Sequence, residues 1–343
     1  DQSGDTLVLA DLDLRVAENR IVGQGQWGPE LAGDFQLKLP APQLLLPQLA
    51  GALNGKVSVG GTPAAPLGSV SVSGTGLAWG DQIEVARFDL AATLAAGQNL
   101  AAELTASKVA AAGQSLATLA ADLAGTRDDH RLDIRADHQE AAIEFRFAGG
   151  LGEAWTTWKG QLARGEIDIP GQDQLWRLTK PADLTYSETG QLSFGQHCWV
   201  WQQASVCAGR QTLLPQPALD YRVRNFPTTA LSPVMPEALR WNTLLDASLT
   251  FNLTDSGPEG SVAVNAGNGE FSVLNGDAWE TFQYNALTTR ADLLPDRADL
   301  AFELEGPRLG KLSAGVSVDP RSEDRRLEGS FRLARLDVAL AAG

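Results

Sequence analysis

The sequence feature that most constrains the fold of this chain is an alternation of apolar and polar residues with a period of two. Leu249, Phe251 and Leu253, for example, alternate with Thr250 and Asn252. Because successive side chains of a strand point to opposite faces, each such segment predicts a strand with one apolar and one polar face. The pattern recurs from end to end, punctuated by 35 glycines and 17 prolines. The sequence therefore predicts an all-β chain of many short strands.

The apolar positions of these segments are the candidate functional residues, and they share one predicted face. They are Leu12, Leu14, Phe35, Leu37, Leu39, Val57, Val59, Val70, Val72, Ile83, Val85, Phe88, Leu90, Leu132, Ile134, Ile143, Phe145, Phe147, Ile167, Ile169, Leu249, Phe251, Leu253, Val262, Val264, Phe271, Val273, Leu300, Phe302, Leu304, Val316, Val318, Phe331, Leu333, Leu336, Val338 and Leu340. That face is covered by a second sheet in a sandwich, closed on itself in a barrel, or left lining a trough if the sheet bends into a U. The pattern alone leaves all three open.

Signals for helices are sparse. The proline-flanked stretches 42–53 and 231–245 are each long enough for a short helical turn. The alanine-rich stretch 91–125 has a composition that favours helix, but Gly97, Gly113 and Gly125 divide it into pieces of strand length, so we predict strands there.

Two sequence echoes suggest large, degenerate internal repeats. Residues 66–72 and 258–264 share the form P-x-G-S-V-x-V, and residues 31–37 resemble residues 327–333. The order of these segments predicts one continuous elongated segment over 1–343, with repeat units at about 31–220 and 221–326 and another starting at 327–343.

Composition excludes several classes of function. With 42 Asp and Glu against 27 Lys and Arg, the formal charge is −15, so the chain lacks the basic footprint that nucleic acids require. Only three His and two Cys are present, which leaves little for metal or nucleophile chemistry. We predict no enzyme activity, cofactor or metal. The start at Asp1 without Met or signal peptide suggests a processed or excised chain.

Residues 23–28 match the dinucleotide-binding pattern G-x-G-x-x-G, but a strand pattern follows where that site needs a helix, so we interpret them as a turn. His197 and Cys198 are neighbours on a predicted strand and point to opposite faces, which excludes a thiol–imidazole pair. His130 and His138 would lie far apart on one straight strand.

Cys198 and Cys207 are the only cysteines, and their spacing suits a bridge across a short hairpin. The alternative is two free buried thiols. A close, even pair fits an oxidising compartment such as the periplasm, so we predict a disulfide.

The segment 197–207, HCWVWQQASVC, resembles the HCW…LC signature of the TamB family, which comprises AsmA-like periplasmic proteins of Gram-negative bacteria. Val206 stands where the family often has Leu. Further matches, in the family's order, are 125–132, 158–162, 169–171, 176–178, 225–227, 233–236, 257–261 and 318–321. The chain thus resembles an internal to C-terminal-proximal fragment of a family member.

This resemblance implies a β-taco, an elongated U-shaped sheet with a continuous hydrophobic groove and few helical turns. It implies phospholipid transfer between the inner and outer membranes of the cell envelope. The alternative function is assembly of outer-membrane β-barrel and autotransporter proteins by β-augmentation. The implied partners are phospholipids, nascent outer-membrane proteins and a TamA-like outer-membrane barrel, the last bound through regions outside this sequence. The implied location is the periplasm, with the parent protein anchored by a helix that lies outside the sequence.

Overall fold

The computed structural model describes residues 2–3, 6–111, 113–319 and 327–335. The candidate residues Leu336, Val338 and Leu340 lie outside this part of the chain. The chain divides into two compact units, residues 1–175 (unit 1) and 176–343 (unit 2).

Unit 1 is a meander of antiparallel strands, each paired with the next along the chain. Its strands are β1 (Gln2–Ser3), β2 (Thr6–Val16), β3 (Asn19–Trp27), β4 (Ala32–Leu39), β5 (Leu49–Thr62), β6 (Ala65–Trp79), β7 (Ile83–Ala95), β8 (Asn99–Ala111), β9 (Gln114–Thr126), β10 (His130–Asp137), β11 (Ala142–Leu151) and β12 (Trp158–Ile169). At about 4.8 Å per strand, β2 to β12 span roughly 50 Å.

Unit 2 also consists of antiparallel strands. They are β13 (Gln174–Leu178), which begins just before the boundary, β14 (Ala182–Tyr186), β15 (Leu192–Phe194), β16 (His197–Trp201), β17 (Ala204–Ala208), β18 (Gln211–Leu214), β19 (Ala218–Pro227), β20 (Leu239–Asn242), β21 (Leu244–Thr254), β22 (Gly257–Asn265), β23 (Gly269–Asn275), β24 (Ala278–Tyr284), β25 (Ala286–Leu293), β26 (Ala298–Gly306), β27 (Gly310–Val318) and β28 (Leu327–Ala334). Strands β19, β21, β22, β25, β26, β27 and β28 pair in that order, whereas β20, β23 and β24 form a separate small sheet.

The all-β prediction is confirmed, including the strands in the alanine-rich stretch 91–125. The helical pieces are single 3₁₀ segments at Pro42–Leu44, Ala96–Gln98 and Thr228–Val234. They interrupt the chain only briefly, between strands of an otherwise continuous antiparallel arrangement.

The interpretation of residues 23–28 as a turn is wrong, because Gly23 and Gly25 lie inside strand β3. A Cβ atom on Gly23 would lie 2.5 Å from a ring carbon of Phe35, which occupies the space above it on the neighbouring strand. These glycines therefore make room for an aromatic ring instead of turning the chain.

The core of unit 1 is thin. Within residues 6–111 and 113–175 there is no α-helix and no second sheet, and the large apolar side chains of the strands are mostly half-buried. The small sheet of unit 2, by contrast, packs on its main sheet around the buried residues Leu245, Ala266, Tyr284 and Leu304.

Candidate functional site

The apolar face of unit 1 is built from residues that lie directly opposite one another across eleven strands. One such row runs through Leu12, Gly23, Phe35, Val57, Val70, Ala92, Ala102, Leu123, Leu132, Phe147 and Leu162. The next runs through Leu14, Ile21, Leu37, Gly55, Val72, Leu90, Leu104, Ala121, Ile134, Phe145 and Gly165. Every member is apolar or glycine.

Two further rows flank these, so from β4 to β12 the face is four residues wide, with His130 as its polar member. One contains Leu39, Leu53, Gly74, Phe88, Ala106, Leu119, Ala136, Ile143 and Ile167, and the other includes Val59, Gly68, Leu94, Leu100, Gly125, His130, Gly149 and Gly160. Four alternate residues span about 20 Å along a strand. The alanine, glycine and leucine members from β7 to β9 are not among the candidates predicted from the sequence, although they follow the same alternation.

At several glycines of this face, a side chain of a neighbouring strand occupies the space where a Cβ atom would be. The ring of Phe35 lies beside Gly23, Gly25 and Gly33, and a methyl group of Val72 lies 3.0 Å from where a Cβ of Gly55 would be. A large residue is thus paired with an empty position, which evens the surface across the strands.

The pairing of β6 to β9 is interrupted along one line. The ladders skip Gly76, Ala86, Lys108 and Ala117, which would stand opposite one another, and Gly76 and Lys108 have φ angles of 57° and 49°. An unpaired residue of this kind disrupts the ladder locally and re-aims the side chains that follow, as in a β-bulge.

Beyond this line the apolar alternation changes phase. Leu77 returns to the apolar face, since its Cδ1 lies 2.7 Å from the Cβ position of Gly74. The change explains why two candidates on β7, Ile83 and Val85, differ in parity from Phe88 and Leu90. Ile83 is 43% exposed, and neither residue belongs to the four rows. The candidate Ile169 lies past the last residue of β12 that pairs with β11.

His130 is a polar residue in an apolar row, and hydrogen bonds to its ring explain its position there. Trp158 donates its indole N–H to Nε2 of His130 at 2.9 Å, and Nδ1 lies 3.0 Å from the carbonyl oxygen of Thr126. Both ring nitrogens are therefore occupied. His138 follows the other end of the same strand, so the two histidines do not form a metal site.

Unit 2 repeats the two-faced arrangement. One row runs through Tyr221, Leu249, Val262, Ala291, Leu300, Val316 and Gly329, and another through Val223, Ala247, Val264, Thr289, Phe302, Ala314 and Phe331. In the first row Leu249, Val262, Leu300 and Val316 are each 36–44% exposed. Phe251 and Val318 share a third row, and Leu304 and Leu333 a fourth; Leu253 lies opposite Pro258.

The candidates Phe271 and Val273 lie elsewhere, on the small sheet. Phe271 packs toward the main sheet beside Phe282 and Tyr284, and Trp241 donates its indole N–H to the Tyr284 hydroxyl at 2.7 Å. Val273 is 38% exposed. The small sheet therefore covers one end of the apolar face of unit 2, at Leu245 and Leu304.

The predicted disulfide is confirmed. Cys198 and Cys207 stand opposite each other in the hairpin of β16 and β17 and are bonded. His197 is buried, stacks on Phe194 and has Nδ1 2.9 Å from the carbonyl oxygen of Gly195. The HCW signature is thus a compact structural hairpin, in which imidazole and sulfur point to opposite faces.

The polar faces carry ion pairs between neighbouring side chains. In unit 1, hydrogen bonds from Arg15 and Arg20 hold the pKa of the Asp13 carboxyl far below its usual range. In unit 2, the backbone N–H of Asn225 and then the guanidinium of Arg224 lower the pKa of Asp246.

A depression on the polar face of unit 2 has a volume of about 530 Å³, and charged side chains, including Arg222, Asp246 and Arg290, line it. These groups suit water better than a hydrocarbon. Among the described residues, no three His, Cys, Asp or Glu side chains are grouped as metal ligands, and no helix is long and apolar enough to cross a membrane. The candidate site is the apolar face of each unit, which the aligned rows of apolar residues define.

Comparison with known proteins now gives the family. A family model described as "TamB, N-terminal domain" matches residues 2–343, whereas the resemblance of the signature placed the chain nearer the C-terminal end. The curated translocation and assembly module subunit TamB of Haemophilus influenzae is 20% identical over 352 residues, covering 98% of this chain and 26% of that protein. The chain thus spans about a quarter of that relative. No solved structure matches it. Because the family model covers the chain almost from end to end, the chain belongs to the TamB family.

Proposed function

We propose that this chain is a segment of a periplasmic lipid-transfer bridge, in which the apolar faces shield phospholipid tails between the inner and outer membranes. The observation that carries the proposal is the continuous apolar face of unit 1, two residues wide over eleven strands and four residues wide from β4 to β12, with no α-helix or second sheet over it within the described residues of unit 1.

The physical need for such a face follows from the cost of exposing hydrocarbon. At roughly 0.8 kcal/mol per methylene, an acyl chain of about 16 carbons costs on the order of 13 kcal/mol to expose to water. An apolar face replaces that water with hydrocarbon contact, while the headgroup stays solvated at the sheet's edge. No covalent step is required, and we propose no enzyme activity. A TamA-like barrel would bind other regions of the parent protein.

Crosslinking at neighbouring residues of one strand tests this proposal. A photoreactive amino acid at Leu249, on the apolar face, should capture phospholipid in cells, and the same amino acid at Thr250, on the polar face, should not. Leu300 and Ala301 form a second matched pair. Equal capture from both members of each pair would contradict the proposal.

A second candidate function has its own support. The relative's name describes a translocation and assembly module, and β28 pairs with β27 on one side while no other described strand lies along its second edge. A nascent outer-membrane strand would add there by β-augmentation. Crosslinks from Phe331, which is 70% exposed, to unfolded barrel segments, without lipid in the purified chain, would favour this function.

A further inference from the structure

The small sheet of unit 2 covers the apolar face at one end of the strands only. At that end Leu245 and Leu304 are 9% and 7% exposed, and Tyr284 is 2% exposed. Toward the opposite end, Leu300 on β26 is 44% exposed and Leu253 on β21 is 39% exposed. The face of unit 2 therefore has a closed rim at the small sheet and an open rim at the turns 255–256 and 294–297.

The uncovered length matches a lipid tail. From Ala247, which packs beside the small sheet, to Leu253 is six residues along β21, or about 20 Å. The hydrocarbon of one bilayer leaflet is about 15 Å thick, half of a core of about 30 Å. A tail that lies parallel to the strands thus fits between the small sheet and the open rim.

The two described turns of the open rim, 255–256 and 294–297, carry more negative than positive charge. Asp255 and Asp296 are exposed there. Gln216 donates a side-chain N–H to Asp255 at 2.8 Å, and Arg297, the cation among the described residues of these two turns, is paired with Asp299 at 2.8 Å. Carboxylates in this position attract the ammonium group of a headgroup and repel a headgroup that carries only negative charge.

We propose that a phospholipid with an ammonium headgroup lies on unit 2 with its tail ends toward the small sheet and its headgroup at the open rim. This orientation rests on the proposed function. The small sheet acts as an end wall for the tails, and Asp255 and Asp296 select the headgroup.

Two photoreactive phosphatidylethanolamines test the orientation on the purified full chain. One carries a diazirine at the end of an acyl chain, and the other carries it on the first acyl carbons next to the glycerol. The first should label the neighbourhood of Trp241 and Phe302, and the second residues 253–257 and 293–298. Reversed or identical maps would overturn the orientation. If neither probe labelled the apolar face, the proposed function itself would fail.

A charge reversal tests the headgroup. The chain is incubated with vesicles of phosphatidylethanolamine and phosphatidylglycerol, and the bound lipids are extracted and quantified by mass spectrometry. Asp296→Lys should shift the bound ratio toward phosphatidylglycerol by about fivefold, the effect of one lysine beside an anionic lipid surface. Asp277→Lys, the same change in an exposed turn of the small sheet, should leave the ratio as in the unmodified chain. Equal ratios in both variants would overturn the selection by the open rim.

Discussion

A single carboxylate on the apolar face should block lipid, and Leu300→Asp is the sharpest form of this perturbation. Leu300 lies in the row between Ala291 and Val316 in the middle of the main sheet of unit 2. Its side chain is 44% exposed, so a passing tail would cover it, while its partial exposure lets the chain fold around an aspartate.

The size of the effect follows from that exposed fraction. An aspartate in the centre of a hydrocarbon layer costs about 3 kcal/mol. Only the exposed 44% of the Leu300 side chain can be newly covered by a tail, which scales the cost to about 1.3 kcal/mol, or roughly a tenfold loss of lipid occupancy.

The assay compares Leu300→Asp with Ala301→Asp. Ala301 is the next residue of the same strand, is exposed and belongs to the polar face beside Arg290. Lipid bound after incubation with vesicles, and transfer of a fluorescent phospholipid from donor to acceptor vesicles, should fall about tenfold in the first variant and stay unchanged in the second. Circular dichroism verifies that both variants fold. An equal loss in both, or none in the first, would refute the assignment of the faces.

Three further predictions concern the stability of unit 2 and are measured by chemical denaturation. Tyr284→Phe removes the hydroxyl that accepts the indole N–H of Trp241 and should destabilise the unit by about 1 kcal/mol; an unchanged midpoint would contradict a role for this bond. Cys198→Ser opens a disulfide loop with a separation of nine residues and should cost about 2.6 kcal/mol, a loss that reduction of the unmodified chain should reproduce. Because the folded state lowers the pKa of Asp246, its carboxylate stabilises the unit above about pH 4, and this contribution is lost as the pH falls through the lowered pKa. The loss of unfolding free energy in Asp246→Asn should therefore be smaller in acid than at neutral pH. A loss that does not change with pH would contradict this.

The sequence alone predicts the strands and their faces well, because both depend on local chemistry. On β26, Leu300, Phe302 and Leu304 alternate with Ala301 and Glu303, and the ladders to β25 and β27 keep this alternation in phase. The disulfide was predictable for a similar reason, since its two cysteines lie within one hairpin.

Other features depend on contacts between strands distant along the chain, or on backbone angles that the pattern does not encode. Nothing in the alternation of Phe271 and Val273 distinguishes a strand of the small sheet from one of the main sheet. The left-handed angle of Lys108 carries no composition signal, because lysine rarely adopts it. Gly23 was misinterpreted as part of a turn because the aromatic ring that needs its empty position comes from the neighbouring strand.

The pairing of large residues with glycines has a consequence for how a tail would move. A tail that advances by one strand, about 4.8 Å, exchanges its contacts for those of the next residue in the row. If Gly23 were an open gap beside Phe35, the tail would lose about 0.8 kcal/mol for each methylene left uncovered there, and such losses would trap it at the large residues. Because the Phe35 ring itself lies beside the empty position, contact persists across β3 and β4. The energy along the row then varies less than the residue sizes alone would require, which favours sliding over tight binding.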